Sequence, residues 1–237
     1  MTEVTQHQDE PHAAGIGSLL NTLRAGVLGA QDGIVSTAGI VVGVAGASQD
    51  NTALLIAGLA GLVSGALSMA GGEYVSVSSQ RDTERALLDK ERWELATMPE
   101  EELAELAGIY EEKGLSPELA QQVALQLHEK DALAAHAEVE LGIDSTSFSN
   151  PWQAATSSAI AFAAGAALPL LAITLTAPDV RVYVTFAVVI VALIGTGLIS
   201  ARVGGAPRGP AVIRNVVVGV VTMAVTFGIG SVVGIWV

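Results

Sequence analysis

An all-α membrane protein, with five transmembrane helices and a cytoplasmic three-helix domain inserted between spans two and three, is the fold class that the sequence predicts. Three observations carry it. Charged residues make up only 15% of the 237-residue chain, against 51% hydrophobic ones, whereas soluble domains carry roughly a quarter charged residues. Five apolar runs are long enough, at about 1.5 Å per helical residue, to cross a hydrocarbon core of roughly 30 Å. Of the net charge of −13, −11 falls between Gln80 and Phe148, where 17 of the 24 acidic residues sit with 6 of the 11 basic ones. A block of that sign repels nucleic acid and attracts cations. With no cysteine in the chain, disulfides and thiolate metal sites are excluded, so any metal site must do without thiolate.

In chain order, residues 1–20 read as a mobile polar tail, with His7, Asp9, Glu10 and His12 among small residues and without the basic start and apolar run of a signal peptide. Residues 21–80 hold the first two spans: Ala25 to Ala47, interrupted only by Gln31 and Asp32, then Thr52 to Ser79, joined by the polar turn Gln49-Asp50-Asn51. Residues 81–148 form the acidic domain. Residues 149–237 hold three more spans, at Ala154 to Thr176, Val180 to Ala201 and Ala211 to Val237, with Pro169 expected to bend the first of them. Arg24, Arg81, Arg85, Lys90, Arg92, Arg202, Arg208 and Arg214 fall on one side and Arg181 alone on the other. The positive-inside rule therefore places the N-terminus and the acidic domain in the cytoplasm and the C-terminus outside.

Two spans carry acids. Asp32 lies eight residues past Arg24 and Glu73 eight residues before Arg81, so both carboxylates sit about 12 Å inside the cytoplasmic boundary. Charge at that depth is costly and marks ion or proton pathways. Met69 is one turn below Glu73 on the same helix face and joins the two acids as a candidate ligand in a transport pathway. Gly39 and Gly43, Gly61 and Gly65, and Gly230 and Gly234 have the small-xxx-small spacing of close helix packing or dimerisation.

The acidic domain reads as helices. The second span continues to about Ala96; Thr97 is the expected N-cap of a helix with Pro99 in its first turn, an apolar stripe of Leu103, Leu106, Ile109 and Tyr110, and Gly114 at its end. Ser116-Pro117-Glu118 starts another, running to Gly142, with Leu119, Val123, Leu127, Leu133, Val139 and Leu141 facing inward. Acids recur at ligand spacing: Glu91 and Glu94, Glu102 and Glu105, then His136 and Glu140, each pair on one helix face. Carboxylates with one imidazole suit Mn²⁺, Fe²⁺ or Zn²⁺ better than Cu(I). A solvated acidic surface is the competing reading, at least as well supported by spacing alone. The Glu-x-x-His pairs of a ferritin-like di-iron site are absent from the sequence.

The stretches Arg24-Ala25-Gly26-Val27-Leu28-Gly29-Ala30-Gln31-Asp32-Gly33-Ile34-Val35-Ser36-Thr37, Ala66-Leu67-Ser68-Met69-Ala70-Gly71-Gly72-Glu73-Tyr74-Val75-Ser76-Val77-Ser78-Ser79-Gln80-Arg81-Asp82 and Glu140-Leu141-Gly142 resemble the signatures of the vacuolar iron transporter family, in a prokaryotic-type member. The resemblance covers nearly the whole chain after the tail. It implies a homodimer in the lipid bilayer that exports Fe²⁺, and often Mn²⁺, from the cytoplasm by proton antiport. It further implies that Asp32 and Met69 line the pathway between protomers, with Glu73 in the same motif, and that Glu91, Glu94, Glu102, Glu105 and Glu140 bind metal in the cytoplasmic domain. The chain departs from the plant members where His136 and Ala137 stand in place of methionines; His136 is the expected substitute ligand.

Neither an enzyme nor a permanent cofactor is expected: Fe²⁺ or Mn²⁺ is cargo, with Zn²⁺ able to stand in. A membrane-embedded hydrolase ranks last, because His7, His12, His128 and His136 all lie outside the spans. A membrane-anchored metal-sensing or metal-storing protein is the alternative. The lack of a targeting segment makes a prokaryotic cytoplasmic membrane the expected location.

Overall fold

A computed structural model of the chain describes residues 16–145 and 148–236. Among these residues there are seven helices and no strand: α1 (Ile16–Ala47), α2 (Asn51–Thr97), α3 (Pro99–Glu112), α4 (Pro117–Val139), α5 (Pro151–Leu175), α6 (Arg181–Val203) and α7 (Arg208–Gly234). The chain divides into two compact units, one built on Ser76–Asn150 and the other on Leu19–Val75 with Pro151–Val237. The 47-residue α2 contributes to both. His7 and His12 lie outside the described residues, and α1 has begun by Ile16, inside the stretch assigned to the tail.

In the larger unit, α1, the first part of α2, α5, α6 and α7 are each long and apolar enough to cross a bilayer. Asp50 starts α2 by accepting the backbone N–H of Thr52 on Oδ1 at 3.0 Å, which caps the helix where the apolar run resumes. The core is aliphatic, with Ile34, Val41, Val42, Leu54, Ile173, Val189, Leu193 and Met223 all buried. Ile56, Leu67, Val75, Ile160, Val191 and Ile235 are exposed, as expected of surfaces whose solvent is hydrocarbon. Glycine sets the closest helix crossings. A Cβ on Gly33 would collide with the Phe162 carbonyl of α5, one on Gly165 with the Ala30 carbonyl of α1, and one on Gly230 with the Gly43 carbonyl. The small-xxx-small pairs of α1 and α7 are thus used on each other, within one chain. Pro169 is buried inside α5, and helix continues on both sides of it.

The smaller unit packs the second part of α2 with α3 and α4. Its apolar centre is small: Leu106, Ala107, Ala124 and Ala135 are buried, with Leu103, Tyr110, Leu127 and Val139 against them. Three details differ from the sequence expectation. Thr97 is the last residue of α2, its hydroxyl donating to the Trp93 carbonyl at 2.8 Å, and Met98 takes the N-cap position of α3 without a side-chain cap bond. With Pro99 in the first turn, where its missing N–H costs nothing, and three glutamates, Glu100 to Glu102, on the positive end of the dipole, α3 starts without help from Thr97. Leu119 is exposed, and Ala120 and Ala124 take the inward positions. Alanine at the contact lets α4 approach closely where leucine would hold it away.

The third difference is in α4, which is not one continuous helix. Asp131 is extended (φ −165°, ψ 94°) between two helical halves. Its Oδ1 accepts the Ala134 N–H at 2.9 Å and so caps the second half. Ser116 caps the first half by accepting from Leu119 N at 3.4 Å. Gly114 and Gly142, both at positive φ, close α3 and α4, and the Ile143 N–H returns to the Ala137 carbonyl at 2.7 Å.

Candidate functional site

Four side chains from three helices converge in the smaller unit: Glu91 of α2, Glu102 of α3, and His136 and Glu140 at the end of α4. Two of them have a buried apolar neighbour on their own helix face. Leu88, one turn before Glu91, and Leu106, one turn after Glu102, are both buried. His136 lies between buried Ala135 and Ala137, whose small side chains let the helix close on the group.

His136 Nδ1 is the centre, 3.0 Å from Glu91 Oε1, 3.5 Å from Glu140 Oε2 and 3.7 Å from Glu102 Oε2. Glu91, Glu102 and His136 are buried, and Glu140 keeps a partly open side chain. One ligand atom from each of the four lies within 4.8 Å of the others. Atoms bound 2.0–2.2 Å from a shared ion stand roughly 3 to 4.5 Å apart, so a small inward shift is enough to complete such a shell. Glu91 Oε1 and His136 Nδ1, though close, form no hydrogen bond with any group, and both are buried.

Burial and crowding of like charge raise the affinity of these acids for protons. Burial pushes the Glu91 carboxyl up to about 7, with the Glu140 charge adding to it and His136 opposing it. Glu102 is also raised, first by burial and then by Glu105. Both shifts reflect the cost of holding several negative charges around one imidazole away from water. A divalent cation would supply the missing counter-charge, and three oxygen donors with one imidazole match Fe²⁺, Mn²⁺ or Zn²⁺ chemistry.

Two sequence candidates stand outside this group. Both carboxylate oxygens of Glu94 receive Lys90 Nζ at 2.7 Å, and Glu105 is exposed. In each i,i+3 acid pair the first member turns inward and the second remains at the rim. Their charges still reach the centre, Glu94 raising both Glu91 and Glu102.

In the larger unit, Asp32 and Met69 line one cavity of about 220 Å³ with Leu28, Gln31, Val35 and Val218. A carboxylate, a thioether and an amide therefore share one small space between α1, α2 and α7. Ser36 Oγ donates to the Asp32 backbone carbonyl at 2.5 Å, which satisfies the hydroxyl without using the carboxylate. Glu73, one turn beyond Met69, is half-buried and is not part of the cavity wall. Gln31 was legible only as a polar interruption of the first span; its place beside Asp32 was the available signal. Tyr74 and Trp152 meet at a tilt of 53° with ring centres 4.7 Å apart.

Known proteins match most of the chain in sequence. Residues 23–231 match the VIT family. The chain is 45% identical over 224 residues to a vacuolar iron transporter of Acanthamoeba castellanii, covering 93% of this chain and 82% of that protein. It is 39% identical over 208 residues to vacuolar iron transporter homolog 1 of Oryza sativa subsp. japonica, covering 87% and 72%. With vacuolar iron transporter homolog 2.1 of Arabidopsis thaliana it shares 35% identity over 213 residues, 90% of this chain and 81% of that one. Five apolar helices and a match of this extent make the chain an integral membrane protein that belongs to the VIT family.

Proposed function

We propose that this protein is a divalent-metal exporter that moves Fe²⁺, and Mn²⁺ as well, out of the cytoplasm in exchange for protons. The cavity shared by Asp32 and Met69 carries the reading. An apolar helix bundle gains nothing in stability from a carboxylate beside a thioether, whereas a path for a transition-metal cation uses both. The relatives named as iron transporters supply the cargo class.

In this mechanism Glu91, Glu102, His136 and Glu140 gather hydrated metal in a cytoplasmic domain, Glu94 and Glu105 add negative charge around them, and the ion passes to Asp32 and Met69, with Glu73 at the same level. Protons arriving from the far side neutralise Asp32 and Glu73, which removes the charge that holds the metal and releases it outward. A homodimer fits the same picture. Asp32 is exposed on a single chain, and a carboxylate exposed within the span would face hydrocarbon; a second copy packed there encloses it as part of a path between protomers.

Metal tolerance tests the proposal. Cells lacking their own exporter are expected to survive elevated Fe²⁺ or Mn²⁺ when they make the wild-type protein, and to lose that protection with Asp32→Ala or Met69→Ala at equal membrane abundance. Full protection by both variants would contradict the pathway. Metal binding without protection by the wild-type protein would instead assign a storage or sensing role.

A further inference from the structure

His128 stands beside the four-residue group without belonging to it. On an unbroken helix, residues 128 and 136 would lie about 12 Å apart along the axis. The extended residue at Asp131 breaks α4 between them, and the two imidazole rings meet edge to face with centres 6.1 Å apart. His136 Nδ1 faces Glu91, Glu102 and Glu140. Its other nitrogen, Nε2, is buried with no hydrogen-bond partner, and so is His128 Nδ1.

A neutral imidazole carries one N–H and one lone pair, and the hydrogen bond at one nitrogen decides what the other can do. For His136 to offer the Nδ1 lone pair to a metal, its proton must sit on Nε2. A buried Nε2–H needs an acceptor, and metal-ligating histidines nearly always have one. His128 Nδ1 is a buried acceptor with nothing to accept, in the adjoining ring. One water between the two nitrogens would serve as well as direct contact.

We infer that His128 is a positioning residue for metal binding: it accepts the Nε2 proton of His136 through one bridging water, and so holds the His136 Nδ1 lone pair toward the three carboxylates. This rests on the reading of Glu91, Glu102, His136 and Glu140 as a metal site. The break at Asp131 is the structural device that makes it possible, because it lies between the two histidines, whose ring centres stand 6.1 Å apart.

Co²⁺ titration of the full-length protein in detergent, followed by the visible ligand-field bands, tests the inference. His128→Phe keeps a planar ring but removes the acceptor, whereas His128→Gln retains an acceptor. The expected result is a loss of Co²⁺ affinity of about 10- to 100-fold with altered bands in His128→Phe, and recovery of most of both in His128→Gln, with helix content and elution unchanged in each. Equal affinity and identical bands in wild type and His128→Phe would overturn the inference and leave the metal site standing. An equal loss in both variants would also overturn it, as the mark of a packing role. Wild-type binding that is absent, or indifferent to Glu91→Gln and His136→Gln, would overturn the metal site and the inference together.

Discussion

Glu91 holds the most informative charge in the molecule. Its carboxyl is raised to about 7 in the folded protein, against roughly 4.3 in an unfolded chain. The folded state therefore binds this proton more tightly than the unfolded state does, and the stability it contributes is fully present below the unfolded value and lost as pH rises through about 7. Glu91→Gln removes the buried charge with little change in shape. In the metal-free protein it is expected to raise the midpoint of thermal unfolding of the acidic domain clearly at pH 8 and only slightly at pH 5; equal effects at the two values would contradict the assignment. The same proton must leave before a metal can bind. Below about pH 7, Co²⁺ binding should release close to one proton from Glu91 and weaken as pH falls, which calorimetry in buffers of different ionisation enthalpy measures. Spacing made Glu91, Glu102, His136 and Glu140 legible as candidates, and Glu94 and Glu105 equally so. It could not separate them, since an i,i+3 pair shares a face only approximately, and which member turns inward depends on buried Leu88 and Leu106.

Helices were the most legible level. The five apolar runs correspond to α1, α2, α5, α6 and α7, with α1 beginning at Ile16 ahead of the expected Ala25 and α2 running past its apolar stretch to Thr97, because hydrocarbon demands a continuous apolar stretch and an intact backbone hydrogen-bond ladder. The break in α4 was hidden. Asp131 reads as one more acid in a helical pattern, and only its bond to Ala134 N shows it as an internal cap. Leu119 was misplaced for a related reason: a larger apolar residue was expected inward, but close approach favours Ala120 and Ala124. Glycine contacts yield a test at this scale. Gly230→Ala drives a methyl group into the Gly43 carbonyl and is expected to destabilise the α1–α7 packing by about 1–3 kcal/mol. Gly228→Ala, two residues away on the same helix with open space at its Cβ, should be neutral or slightly stabilising. Melting in detergent compares the two, and equal effects would contradict the packing described.

Across the whole molecule, two chemistries are kept in separate units. One gathers acids and an imidazole around a single point in the unit built on Ser76–Asn150; the other holds a carboxylate, an amide and a thioether in a small cavity of the larger unit. In the sequence, nearly all the negative charge falls in one block between the apolar runs. Sequence could not show that Asp32 and Met69 share a cavity while Glu73 stays outside its wall, because that depends on how α1, α2 and α7 rotate against each other. Proteoliposome flux tests the central claim most directly. Purified protein is reconstituted, Fe²⁺ and Mn²⁺ uptake is followed with a lumenal fluorescent reporter, and an imposed proton gradient is switched on or off. Uptake that accelerates with the gradient, moves protons the opposite way and disappears in Asp32→Ala is expected of a proton-coupled exporter. Metal flux that ignores the gradient, or persists in full in Asp32→Ala, would contradict it.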